Sequence, residues 1–200
     1  MNISVKNDGY VLCKSNFYSA NDLLSNSNYL ITSGVNKLIG EIDSGVWAIS
    51  YLLSMYKYRQ KDFVLFEEPI VTVDETKMSL AQFSTYSCYM DTLYPLFNRK
   101  STVEKLVIGG INTNNLDFTP DSIRDLFCID KERFNRPLSG TGNEVFKAMA
   151  AIGYVNGKDV YCFPWLSYKR YCSYHQQLER LIKILDGLNK VVILPIGREP

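Results

Sequence analysis

The sequence predicts an α/β fold: one domain over residues 1–200 with a mainly parallel sheet and a helical subdomain inserted at about 80–136. Three observations predict it. A strand–loop–helix unit occupies 29–56, helix and strand alternate from 143 onward, and the tract between 78 and 136 reads as mostly helical. Strands alternating with helices imply right-handed crossovers and parallel pairing.

Taken in order, Ile3–Lys6 and Tyr10–Cys13 read as strands, and the Asn and Ser residues at 25–28 predict a turn. Tyr29–Ile31 and Val35–Ile39 read as strand leading into Gly40, and Ala48–Tyr56 as a buried helix. Lys61–Asp62 is a polar break before two more strands, Phe63–Phe66 and Ile70–Val73, interrupted at Pro69. Leu80–Leu96 is rich in Tyr, Met and Leu, and Thr102–Val107 predicts a short helix. Thr119-Pro120-Asp121 starts another, with a capping hydroxyl followed by a proline at the first helical position. Ile123, Leu126 and Phe127 then share one face. Beyond 143, Val145, Phe146, Met149, Ala150 and Ile152 make an apolar helix face. Asp159–Phe163 is a short strand behind the Asn156-Gly157 turn. Leu178, Leu181, Ile182, Leu185 and Leu188 form an amphipathic stripe before the strand Val191–Ile196.

Composition excludes several function classes. Two hundred residues at 46% hydrophobic content and a net charge of +1 describe an ordinary folded domain, with no basic field for nucleic acid. The start, MNISVKNDGY, lacks the apolar core of a signal peptide, and no run of about 18 apolar residues spans a membrane. Cysteines 13, 88, 128, 162 and 172 are odd in number and form no C-x-x-C pair, which predicts reduced thiols in the cytoplasm. A single histidine, His175, rules out a multi-histidine metal site within one chain.

Residues 34–47, GVNKLIGEIDSGVW, have the outline of the phosphate-binding pattern G-x-x-x-x-G-K-[ST]. Such a loop cradles phosphates with backbone N–H groups, while its Lys reaches the outer phosphates and its hydroxyl holds Mg²⁺. Gly40 and Gly45 are correctly spaced, but Val46 stands at the Lys position and Trp47 at the hydroxyl position. Glu41 and Asp43 add negative charge to the loop, with Ser44 beside them. Trp47 either faces outward as a binding anchor or turns inward against Ile49 and Leu53.

Downstream, PLSGTG at 137–142 resembles the L-S-G-G-Q signature of ATP-binding cassette (ABC) ATPases, with Leu138, Ser139 and Gly140 matching and Thr141 and Gly142 replacing Gly-Gln. VYCFP at 160–164 resembles the Asp-Glu-Pro strand that follows the signature by about two dozen residues; Cys162 and Phe163 stand where the carboxylates would be. KVVILPIG at 190–197 resembles the strand before the switch histidine, with Gly197 at its position. YPLFNRKSTVEKL resembles the segment after the glutamine loop, whose glutamine would lie near Tyr89 or Met90; Gln82 is out of register. The resemblance covers roughly residues 3–197 and implies a P-loop NTPase-like core. It also implies an aromatic residue before the loop that stacks on adenine, a place for Phe17 or Tyr18.

The resemblance further implies sites formed between two subunits, the loop of one facing the signature of the other. With the Lys, the loop hydroxyl, both carboxylates and the switch His absent together, the expectation is a pseudo-ATPase with no catalytic residue and no cofactor in its own loop. ATP would be held only at a partner's site. That predicts a homo- or heterodimer with an ABC-type ATPase, with a separate membrane permease as a further partner and no nucleic acid partner. A nucleotide-independent adaptor, for example in a peptide-maturation complex, is the alternative. A third reading is repurposed chemistry at Cys162, Asp159 or His175.

Overall fold

The computed structural model describes residues 1–15, 20–98 and 100–200. Strand β1 (Asn2–Ser15) alternates strictly at its start: Ile3, Val5 and Asn7 point inward, while Ser4, Lys6 and Asp8 face out. That period of two half-buries a sheet. It pairs antiparallel along its length with β2 (Ala20–Thr32). Its other edge is divided between β4 (Phe63–Leu65) and β5 (Ile70–Val73), and β6 (Thr76–Met78) completes the sheet beyond β5. The register slips between Asn7 and Tyr10, opposite Ser25–Ser27, and Asn26 takes φ 38°. The Asn/Ser cluster expected to turn the chain therefore lies inside β2, where Asn26 faces the extra residue that β1 carries at Asp8–Gly9. Asn tolerates the left-handed conformation, and a continuous β1 keeps its partner extended on both sides.

The second sheet is wholly parallel, in the order β3 (Gly34–Ile39), β9 (Val191–Ile196), β8 (Val160–Cys162), β7 (Ser87–Tyr89). It unites Val35–Ile39, Tyr161–Cys162 and Val191–Leu194, three of the expected strand segments. Tyr29–Ile31 is not part of it and belongs to β2. The expectation of a mainly parallel sheet is corrected accordingly: five strands form an antiparallel sheet and four a parallel one. Short connections, such as the Asp74–Glu75 turn between β5 and β6, permit only antiparallel pairing.

Helix α1 (Val46–Met55) contacts strands of both sheets, and every one of its residues is buried. Its sequence is apolar on all sides, as a helix enclosed by other elements requires. Helix α2 (Leu80–Tyr86) opens with a capping box between Ser79 and Gln82 and packs on α1. Among the described residues, three helices lie between β7 and the next core helix: α3 (Val103–Thr113), α4 (Pro120–Leu126) and α5 (Lys131–Phe134). Helix α3 runs beyond the expected end at Val107; α4 starts at the Thr119 cap as expected. Helix α6 (Val145–Val155) leads to β8, and α7 (Tyr168–Gly187) buries Leu178, Leu181 and Leu185. Among the described residues no helix is long and apolar enough to cross a membrane.

Candidate functional site

The site is built around the turn between β3 and α1. The Gly40 N–H donates to Ile196 O at 2.9 Å, and Gly40 O accepts from Trp165 Nε1 at 3.0 Å. Ser44 folds back on Glu41 O through its N–H at 3.1 Å and its hydroxyl at 2.6 Å. A Cβ on Gly40 would overlap that hydroxyl. Gly45 caps α1 at φ 84°, where a side chain is strained, and a Cβ there would stand 3.0 Å from Leu23 O. Both glycines thus serve the turn itself, with strand β2 pressed against it.

The backbone donors of this turn end on an internal carboxylate. Asp22, on β2 and wholly buried, accepts the Gly45 N–H at Oδ1 and the Ala48 N–H at Oδ2, each at 2.8 Å. Burial pushes its carboxyl above the usual range, while the N–H groups of Gly45, Ala48, Leu23 and Trp47 act against that rise. An acid at a helix start is also favoured by the helix dipole. Asp22 is the residue that sequence reading missed. It sits 23 residues before Gly45 on another strand, and no local pattern marks it.

The expected nucleotide-contacting positions form a packed interior. Val46, at the Lys position, is buried as the first residue of α1. Of the two orientations the sequence leaves open, Trp47 takes the inward one, 2% exposed: the first turn of α1 is enclosed by the two sheets. Its Nε1 donates to Tyr89 Oη at 3.0 Å and its ring stacks on Tyr51 at 4.9 Å. The position expected for the loop hydroxyl and the position expected for the glutamine are therefore joined by an indole–phenol hydrogen bond. Met90 is buried, its N–H on Cys162 O at 2.8 Å.

On β8, Cys162 is fully buried and its thiol is pushed up to about 12 by desolvation, against hydrogen bonds with Ser54 and Ser50. Phe163 packs on Phe146 at 5.2 Å, and its carbonyl accepts the Ser50 hydroxyl at 2.6 Å. A Cβ on Gly197 would lie 3.1 Å from Trp165 Cζ2 and 3.1 Å from Tyr168 N, so Trp165 occupies the space beside the switch position. Glu41 accepts the Arg198 N–H at 3.2 Å, and Asp43 is exposed.

The signature-like segment differs from expectation in one respect. PLSGTG does not pass directly into a helix: two 3₁₀ turns, Leu138–Gly140 and Gly142–Glu144, precede α6. The Gly140 N–H donates to Pro137 O at 2.7 Å, and the Thr141 N–H and hydroxyl to Leu138 O at 3.2 and 2.7 Å. Ser139 and Gly140 are exposed, whereas Leu138 and Thr141 are buried. Gly142 takes φ 58° between the two turns.

The third set of candidates does not converge. Cys162 is buried, His175 lies partly exposed on α7 with Nε2 3.3 Å from Glu179, and Asp159 pairs with Lys190 at 2.7 Å. Phe17 and Tyr18 lie outside the described residues. Among the described residues there is no cluster of His, Cys, Asp and Glu that would hold a metal.

No protein-family model matches the chain, and no curated protein matches it. Solved structures do. A protein described as an ABC transporter ATP-binding protein, from Pyrococcus furiosus, superposes with a TM-score of 0.63 at 14% identity, over 100% of this chain and 92% of its own. An ATP-binding cassette solved as a dimer in a post-hydrolysis state with ADP and Pi gives 0.60 at 12% identity, over 98% and 88%. A bacterial Atm1-family ABC exporter with ATP bound gives 0.59 at 8% identity, over 100% of this chain and 34% of the exporter. At these identities the likeness is one of fold: the chain has the architecture of ABC nucleotide-binding domains.

Proposed function

We propose that this chain is a catalytically degenerate ABC-ATPase-like protein that does not hydrolyse ATP in its own loop and acts by pairing with another protein, an active cassette ATPase or the ATPase part of a transporter. One observation carries the reading: Trp47, at the position of the metal-binding hydroxyl, is buried and hydrogen-bonded to Tyr89. Phosphoryl transfer depends on placing Mg²⁺, water and phosphate charge together. Here Cys162 and Phe163 supply no carboxylate, Val46 supplies no cation, and Trp47 supplies no hydroxyl for a metal and turns its indole into the core. The two-subunit arrangement described for the dimeric cassette supports pairing as the mode of action. The protein would work in the cytoplasm, with any membrane-spanning part supplied by a separate chain.

A second reading, a nucleotide-independent adaptor, is favoured by the signature-like turn. Its Gly140 and Thr141 N–H groups close 3₁₀ bonds rather than facing outward to a partner's phosphate. Purifying the chain from its own host and identifying what accompanies it separates the two. An intact cassette ATPase or permease supports the first reading, and a stable complex formed equally with and without Mg-ATP supports the second. ATP turnover by the isolated chain that disappears in Gly45→Asp would refute both.

A further inference from the structure

The loop before α1 carries donors for an oxyanion, and the chain supplies the oxyanion itself. Asp22 is wholly buried, its two oxygens each receive a backbone N–H at 2.8 Å, and among the described residues it makes no ion pair with Lys, Arg or His. Backbone amides and the head of a ten-residue helix act against the desolvation of its charge without cancelling it. This contact spans 23 and 26 residues and ties the antiparallel sheet to the head of α1, unlike the local side-chain caps of α2, α3 and α4.

We propose that Asp22 is a built-in ligand of this loop: its carboxylate occupies the oxyanion slot at the start of α1, shuts that slot to nucleotide phosphate, and on removal leaves a site for a small free carboxylate. The size of the ligand follows from the walls. Leu23 O lies 3.0 Å from the place of a Cβ on Gly45, and Leu24 lies just beyond it. The main chain of β2 therefore covers the slot, and the space vacated by Asp22→Ala is that of a carboxylate rather than a triphosphate. Buried N–H groups left without an acceptor are costly, which drives a free ion of matching shape into the gap. Cys13 and Tyr29 lie near enough to feel the Asp22 charge, and both have their ionisation pushed up by burial and by that charge. Neither supplies a competing cation.

The inference is separable from the association reading: pairing with a partner does not require a free slot, and losing the partner would leave Asp22 where it is. The test uses the full chain, labelled with ¹⁵N, and sodium formate titrated against sodium chloride at matched ionic strength. Substituting Asp22→Ala should move the Gly45 and Ala48 amide resonances away from their wild-type positions. Formate should return them saturably and raise the melting temperature by on the order of a few degrees. Wild type should not respond. Asp22→Asn fills the slot with an amide that keeps one acceptor oxygen, so one of the two resonances should hold its position and formate should do nothing. A folded Asp22→Ala chain whose amides ignore formate overturns the proposal, as does a wild-type response. Should Asp22→Ala fold neither with nor without formate, Asp22→Asn decides: both amides at wild-type positions would also overturn it.

Discussion

The glycine turn before α1 and the glycine turn before α6 stand at corresponding places, each between an incoming segment and a buried helix. At the first, the donors reach across the molecule: Gly45 and Ala48 to Asp22, Gly40 to Ile196. At the second, they reach only three residues back, Gly140 to Pro137 and Thr141 to Leu138. The first turn is held by two sheets, with Trp47 sealed behind it; the second leaves Ser139 and Gly140 at the surface. A glycine turn can thus satisfy its own donors in two ways. Long-range closure makes the segment part of the core, whereas local closure keeps the surface and alters only its donors.

Substitutions should separate the two turns by their stability cost. The largest effect is expected at Trp47→Ala, which removes a buried ring, its bond to Tyr89 and its stack on Tyr51. A loss of about 3–5 kcal/mol in urea unfolding is expected; a loss near zero would mean that the indole is not part of the core. Gly45→Ala comes next, since φ 84° and the Leu23 carbonyl both oppose a Cβ. About 1–2 kcal/mol is expected, read in the same way. At the other turn, Ser139→Glu should change stability by less than about 0.5 kcal/mol, because the residue is exposed. It should nevertheless weaken assembly with the partner in a pull-down, and unchanged pairing would remove this face from the interface.

The smallest and most specific effect is a pH dependence. The Asp22 carboxyl is raised in the folded chain, chiefly by burial, so the folded state holds the proton more tightly than the unfolded chain. Stability attributable to Asp22 therefore falls as pH rises from the ordinary carboxylate value through the raised folded value, and is gained on acidification through that window. Unfolding free energy measured across it should lose this slope in Asp22→Asn. An identical slope in both proteins would assign it to other carboxylates.

Much of the parallel sheet was legible because its strands are short apolar runs bounded by turns, and α7 because Leu178, Leu181 and Leu185 repeat at helical spacing. The antiparallel sheet was less so. Asn26 and its neighbours look like a turn in one dimension, and only the continuity of β1 beside them keeps β2 extended. At the site, spacing picks out Val46, Trp47, Cys162, Phe163 and Gly197 as candidate positions, and Val46, Trp47, Cys162 and Phe163 are buried. What fills the space cannot be read by spacing. The Trp47–Tyr89 and Trp165–Gly40 hydrogen bonds span 42 and 125 residues, and Asp22 meets α1 only once two sheets have enclosed it. Side-chain partners chosen by tertiary packing leave no periodic trace.

The order of the parallel sheet places β9 between β3 and β8, with Asn36 and Val192 in contact across 156 residues. A strand that is late in the chain is thus central in space. During synthesis, β3 waits without its partner β9 while the helices are made, and the edges of β3 and β8 stay open to wrong pairing. Loop closure of that length is entropically slow, so completion of this sheet is expected to set the pace of folding. The antiparallel sheet, assembled from residues before 79, has its partners within reach far sooner. The growing chain therefore passes through a stage with one finished sheet and one half-built, and during that stage a chaperone has most to protect.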